Sequence, residues 1–313
     1  MNPAAIRALF EAQRKAWPEL DQGVRSLSAV RSRDFLVDGV RVVAIHIPHR
    51  IKSTTAPADP EAIRARPCFL CSDNLPAEQV GMSFGNGLVV LCNPYPILVH
   101  HVTIVGPDHT PQRIVGNVGN VGNAGNGGVN SSGLGDMLAA SAALPGFMVL
   151  YNGPGAGASA PDHLHFQACS HTGIPVVEDI ARSQGLTLPN YLRPVLVIAG
   201  NDADVVRSKF DRLMELLARR APGEDEPMVN LVVFYDSGCW KVLVFPRARH
   251  RPEVYHRGLL TWSPGAIDMA GVVVLPVASD LDRITGDDIR NVYAEVSIPA
   301  EAAMEVAARM ESP

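Results

Sequence analysis

Two things are missing from this 313-residue chain: an uninterrupted apolar stretch long enough to cross a bilayer, and any run of basic residues. A membrane-spanning helix needs about 20 consecutive apolar residues, and a nucleic-acid backbone is gripped by clustered Lys and Arg. With 27 Lys plus Arg against 32 Asp plus Glu, a net charge of −5, neither a membrane nor a nucleic-acid polymer is expected as a partner. The opening MNPAAIRALFEAQRKAW mixes charges with apolar residues at helical spacing and lacks the apolar core of a signal peptide. Cysteine is scarce and odd in number, five in all. Without an export signal, that count points to a reducing compartment where thiols bind metal, react or fill the core. The expected location is the cytoplasm.

What is present is apolar material, 47% of residues, enough to bury a sizeable core in one large domain or two small ones. The spacing predicts a helix over Pro3 to Trp17 and a hairpin about Asp38-Gly39. Strands are predicted over Leu88 to Cys92 and Ile97 to Val105, around the turn-forming Asn93-Pro-Tyr-Pro96. Residues 116–135 are a low-complexity Gly/Asn tract that cannot bury enough surface to offset its ordering entropy, and read as a flexible insertion. After it come a helix over Asp136 to Leu144 and strands over Phe147 to Tyr151 and His163 to Cys169. A fainter version of the same order follows: strand Pro194 to Ala199, helix Asp202 to Arg220, and strands Met228 to Tyr235 and Trp240 to Phe245. The expected fold is α+β, two related halves with antiparallel sheets and flanking helices. The halves are 1–185 and 186–313, joined roughly between Gly185 and Tyr191.

The chemistry concentrates in Tyr151 to Gln167, YNGPGAGASAPDHLHFQ. In a strand alternate side chains share a face, so His163, His165 and Gln167 are expected on one side and Leu164, Phe166 and Ala168 on the other. Gly153, Gly155 and Gly157 supply a loop whose amides can approach phosphate oxygens without side-chain bulk. A neutral imidazole with one nitrogen bonded to a carbonyl is a competent nucleophile at neutral pH and forms a labile phosphoramidate. The plainer alternative is a satisfied polar face on a strand. Separately, Cys68-x-x-Cys71 has a spacing common in zinc sites; a redox pair or two inert core thiols are the alternatives. His100 and His101 are further ligand candidates. Cys92, Cys169 and Cys239 have no partner spacing and are assigned to the core, and Trp17, Trp240 and Trp262 to core or rim.

At these residues the chain resembles the histidine-triad superfamily, in the His-x-His-x-Gln branch. That branch holds the GDP-hexose phosphorylases, diadenosine tetraphosphate phosphorylase and galactose-1-phosphate uridylyltransferase. SAPDHLHFQA, followed by GIPVVED, carries the likeness, which extends from Cys68 to about Val296. The resemblance implies two histidine-triad-like halves, the second without its own His-x-His. It makes His165 the nucleophile and Gln167 the residue that steadies a phosphate oxygen. It places Asn152 and Ser159 at phosphate contacts and Asn93 at the base or ribose, though Asn93 also suits a plain turn. It puts Lys241 and Arg247 in reach of anionic oxygens, unless they are solvated surface cations. Arg249, His250, Arg251 and His256 add local positive charge. It completes a Cys68, Cys71, His109, His163 set for structural zinc. The implied reaction is nucleotidyl transfer through a nucleotidyl-histidine intermediate. Its first expectation is phosphorolysis of a nucleoside-diphosphate hexose by inorganic phosphate. The alternatives are dinucleoside polyphosphate phosphorolysis, hexose-1-phosphate uridylyl transfer, hydrolysis, and a non-catalytic, zinc-stabilised nucleotide-binding module. Relatives of this kind often pair, which leaves a homodimer open.

Overall fold

The structure, a computed structural model, describes residues 1–55, 60–85, 87–115, 132–180, 187–188, 191–221 and 226–311. Most of the Gly/Asn insertion and much of the expected junction between the halves lie outside the described residues. Among those described, eleven strands form two sheets: β1 (Arg31–Val37), β2 (Val40–His46), β3 (Met82–Phe84), β4 (Leu88–Cys92), β5 (Val102–Val105), β6 (Phe147–Asn152), β7 (His165–Ser170), β8 (Leu196–Gly200), β9 (Val229–Asp236), β10 (Cys239–Pro246) and β11 (Val272–Leu275).

The larger sheet is antiparallel throughout, in the order β3-β4-β5-β7-β6-β9-β10-β8. Strands from both ends of the sequence thus share one sheet, through the β6–β9 pair that sets Leu150 opposite Val232. The smaller sheet is β1-β2-β11, with β11 parallel to β2. Its hairpin turns at Asp38 and Gly39, with φ of 50° and 79°, the two positive values that a two-residue hairpin turn demands.

Alternation along the strands separates two cores. One face of the large sheet packs Val149, Phe166, Ala168 and Val233 beneath the helices Pro3–Ala16, Ser132–Ala143, Ala203–Ala218 and Ala300–Glu311. The other packs Leu150, Val232, Leu243 and Phe245 against β2, β11 and the helices Ala266–Met269 and Gly286–Val296. The helix Ala203–Ala218 starts where Asp202 Oδ1 accepts from the Asp204 and Val205 amides at 2.9 and 3.0 Å, satisfying donors the first turn leaves orphaned. The fold is α+β, antiparallel in its main sheet and flanked by helices.

Two strand expectations change. The run from Ile97 pairs only from Val102, because His100 takes a left-handed φ of 55° and breaks the extended chain. β7 begins at His165, not His163, since the His163 amide closes a turn on the Ala160 carbonyl and Leu164 bonds to Thr110. His163 is therefore free to turn away from the face that His165 and Gln167 share.

Candidate active site and metal cluster

Over β4, β5 and β7 lies a cavity of about 430 Å³, walled by Trp17, Phe69, Leu70, Leu91, Pro94 and Tyr95 and edged by Arg50, Asn93, Ser159, His165 and Gln167. A second, smaller and more polar cavity of about 60 Å³ adjoins it, sharing Arg50, Ser53, Ser159 and Gln167 and reaching Asn152, Gly157, His250 and Arg251.

His165 is 4% exposed. Its Nδ1–H donates to the His163 carbonyl at 2.8 Å, and its backbone amide donates to Gln112 Oε1, also at 2.8 Å. Burial lowers the His165 pKa to about 4, against the pull of the His163 carbonyl, so the ring is neutral at pH 7. With Nδ1 carrying the proton, Nε2 is the bare nitrogen, and it has no hydrogen-bond partner among the described residues.

Gln167 is oriented by a chain of bonds the sequence did not reveal. The Ile97 amide donates to His101 Nδ1 at 3.1 Å, fixing the proton on Nε2, which donates to Gln167 Oε1 at 2.8 Å. His101 is wholly buried, and burial, reinforced by the Arg50 charge, lowers its pKa to about 3. The Gln167 carbonyl is thereby taken, and its amide N–H groups remain for the cavities it lines. His101 is thus a positioning residue, and His100 packs edge-on against Phe10; neither joins the metal cluster.

Gln112 was also missed. Its Nε2 donates to the Asn152 and His165 carbonyls, both at 3.0 Å, tying the end of β6 to the start of β7 where the strands part. No local pattern marks a glutamine whose partners lie 40 and 53 positions away.

The remaining predicted residues divide. Asn93 and Ser159 line the larger cavity; Asn152, Gly157 and Ser159 line the smaller. Asn93 is also a turn-former, its Oδ1 accepting from the Tyr95 amide at 2.9 Å. Gly153 and Gly155 line neither cavity. Gly153 donates its amide to the Val229 carbonyl, and a Cβ there would sit 2.9 Å from that oxygen; Gly155 packs on Met228. Their glycines serve close packing. Lys241 lies on β10 beside Ala199 and Phe234, also away from both cavities. Arg247 is buried with its donors committed. Nε meets the Val296 carbonyl, Nη1 meets Asn230 Oδ1 and the Pro264 carbonyl, and Nη2 meets the Arg249 and His250 carbonyls. A guanidinium has five N–H groups, so Arg247 has none left for a phosphate and instead braces Asn230. Asn230 in turn donates to Asn152 Oδ1 and the Ala156 carbonyl at 2.9 and 2.7 Å.

Next to the larger cavity, Cys68, Cys71, His109 and His163 bring one ligand atom each to within 4.8 Å of one another. Cys68 Sγ lies 3.4 Å from His163 Nδ1, and Cys71 Sγ lies 3.2 Å from His109 Nδ1 and 3.6 Å from His163 Nδ1. Tetrahedral zinc at ordinary bond lengths holds sulfur and nitrogen ligands about 3.6 Å apart, so the four residues fit such an ion. An outer partner is in place for His163, whose Nε2 donates to the Gly106 carbonyl at 3.1 Å and so turns Nδ1 toward a metal. His109 Nε2 lies 4.0 Å from Asp162 Oδ2, beyond hydrogen-bond reach. This cluster could hold a metal ion two residues from His165.

Among solved structures, the chain is similar to yeast Ap4A phosphorylase Apa2. The match is 15% identical, with a TM-score of 0.57, and covers 90% of this chain and 97% of that one. The Apa2 complex with AMP gives 15% identity and a TM-score of 0.55 over 92% and 97% of the two chains. The complex with Ap4A gives 14% and 0.54 over 90% and 97%. At these identities the likeness is one of fold. No curated protein matches the chain. A family model matches residues 9–126 and 129–170, just over half of the sequence, and by that match the chain belongs to the family described as Domain of unknown function (DUF4922).

Proposed function

We propose that the chain is a nucleotidyl-transferring phosphorylase working through His165. The observation that carries this is a neutral imidazole with its proton held on Nδ1 and its bare Nε2 at a cavity of about 430 Å³. In the first half-reaction Nε2 bonds to the α-phosphorus of a nucleotide while the P–O bond to the leaving group breaks, and the electron pair departs on that oxygen. The ring, now carrying positive charge, is steadied by the His163 carbonyl at Nδ1. In the second, an orthophosphate oxygen bonds to phosphorus and the N–P pair returns to Nε2. Gln167 donates to a nonbridging oxygen throughout, so catalysis is chiefly positioning and charge stabilisation. The aromatic and apolar wall of the larger cavity suits a nucleoside.

Support for a nucleotide comes from the solved Apa2 complexes with AMP and Ap4A. They favour a dinucleoside polyphosphate as substrate, with a nucleoside-diphosphate hexose the second reading that the His-x-His-x-Gln motif supports. The metal cluster we assign to structural zinc. When bound, zinc supplies a cross-link between the Cys68–Cys71 knuckle, the loop at His109 and His163, two residues before β7.

The test is mass spectrometry of the intact chain mixed with dinucleoside polyphosphates and nucleotide sugars, without phosphate. The expected result is a gain of one nucleoside monophosphate, discharged by orthophosphate and absent in His165→Ala. An unchanged mass across the panel would leave a nucleotide-binding module in place of an enzyme.

A further inference from the structure

Two arginines stand near the cavities, Arg247 buried and Arg50 half-buried, and they differ in their partners. Arg247 has spent its donors on protein acceptors, whereas Arg50, at the boundary of both cavities, makes one long contact, from Nη1 to the Tyr95 carbonyl at 3.4 Å. No ion pair to Arg50 forms among the described residues. A half-buried guanidinium with five N–H groups and one long contact has donors left for an anion at the boundary of the two cavities.

The polar cavity surrounds it with matching groups. Arg251 donates to Ser263 Oγ at 3.2 Å and to the Thr54 carbonyl at 2.9 Å, and His250 Nε2 meets the same Ser263 hydroxyl at 3.1 Å. Asp268, the carboxylate on the wall, is engaged by Trp262, Val274 and Gly265. Its charge is the protein's own counterweight to Arg50, and the two form no direct contact.

We propose that this polar cavity is an anion subsite in which Arg50 and Arg251 hold a phosphate group other than the one His165 attacks. The inference rests on the nucleotidyl-transfer reading and adds to it the residues that hold the leaving group and the acceptor. The leaving group carries a further phosphate, and orthophosphate enters at the same place. The leaving group of the first half-reaction and the acceptor of the second occupy the same side of the phosphorus, so one subsite serves both. Its volume of about 60 Å³, against about 430 Å³ for its neighbour, suits a phosphate and not a second nucleoside.

The test titrates pyrophosphate calorimetrically into the full chain and into Arg50→Ala, Arg50→Lys and Arg251→Gln. It also compares adduct formation from a dinucleoside polyphosphate with that from a nucleoside 5′-phosphorimidazolide, whose leaving group has no phosphate. Arg50→Ala should weaken pyrophosphate binding roughly 10- to 100-fold, and Arg50→Lys, which keeps the charge but loses the fork, should recover part of it. Adduct formation from the polyphosphate should fall roughly tenfold further than from the phosphorimidazolide. A defect in discharge by orthophosphate marks the acceptor as occupant, and a defect in formation alone marks the leaving group. Pyrophosphate binding that survives in all three variants, or an equal loss with both nucleotides, would overturn the subsite. Pyrophosphate binding through Arg50 in a wild type that forms no adduct would instead keep the subsite and overturn nucleotidyl transfer.

Discussion

Two hairpins lie side by side in the large sheet, and among the described residues only one lines the two cavities over it. β9 and β10 are joined by Ser237 and Gly238, at φ of 51° and 79°. On the cavity-side face they carry Val232, Phe234, Leu243 and Phe245, packed with Trp262, Ile267 and Met269. β6 and β7 are paired in the same manner but joined through residues 153–164, and β7 turns His165 and Gln167 toward that same side of the sheet. Strand register therefore does not make a site. A site needs a long connection that lifts the chain off the sheet, and a gap in the core over it. The closed hairpin still contributes, because Arg247 and Asn230 brace Asn152 and the Gly153–Ala156 turn from beneath.

The sharpest way to break this comparison is to truncate one residue on each hairpin. His165→Ala should abolish the nucleotidyl adduct while the melting temperature stays within a few degrees, since an imidazole at a cavity edge fills little of the core. Phe245→Ala should cost about 3–5 kcal/mol of stability by urea unfolding, with the adduct still forming in the folded fraction. If His165→Ala is the one that unfolds, the open hairpin is a core element and not a site. Next in size is Cys68→Ser. We expect about one zinc per wild-type chain by elemental analysis, and loss of that ion with a clear drop in melting temperature in the variant. A metal-free wild type of equal stability would reject the metal assignment.

Much of the open hairpin is legible in sequence because its signals are local. The alternation of Phe166 and Ala168 with His165 and Gln167 sorts the β7 side chains by face, just as Asp38-Gly39 announces the turn between β1 and β2 in the other sheet. Cys68-x-x-Cys71 names half of the metal cluster, and the family resemblance brought in His109 and His163. The rest is hidden for physical reasons. Arg50, Gln112 and His101 act through partners distant in sequence, so no spacing rule finds them. Arg247 looks like a surface cation until its carbonyl acceptors are seen. Gly153 looks like a phosphate cradle, yet the space it lacks belongs to the Val229 carbonyl. The β5 strand is shorter than its apolar run because His100 adopts a backbone that apolar composition does not forecast.

The orientation of Gln167 gives a smaller effect. His101→Phe removes the Nε2–H that holds its carbonyl, and should slow adduct formation at saturating nucleotide by roughly tenfold. Nucleotide affinity should change by no more than about threefold, and His101→Gln, which retains a donor, should recover part of the rate. A variant that instead loses affinity at full rate would make His101 a binding residue and not a positioning one.

The last expected effect lies at the seam between the hairpins and is read from pH, not from truncation. Glu226, just before β9, accepts from Tyr151 Oη and the Ile114 amide, each at 2.6 Å, and from the Val115 amide at 3.2 Å. Burial outweighs these bonds and raises its pKa from 4.5 to about 7. Between those values the folded chain keeps a proton that the unfolded chain has released. Its contribution to stability is therefore greatest below the window and falls as pH rises through it, levelling off above about 7. Glu226→Gln cannot ionise, so the wild type should lose stability relative to the variant across this interval, measured by urea unfolding at a series of pH values. A difference that does not change with pH would show that Glu226 is ionised throughout. The seam would then be held by a buried carboxylate that its three donors stabilise at least as much as burial penalises.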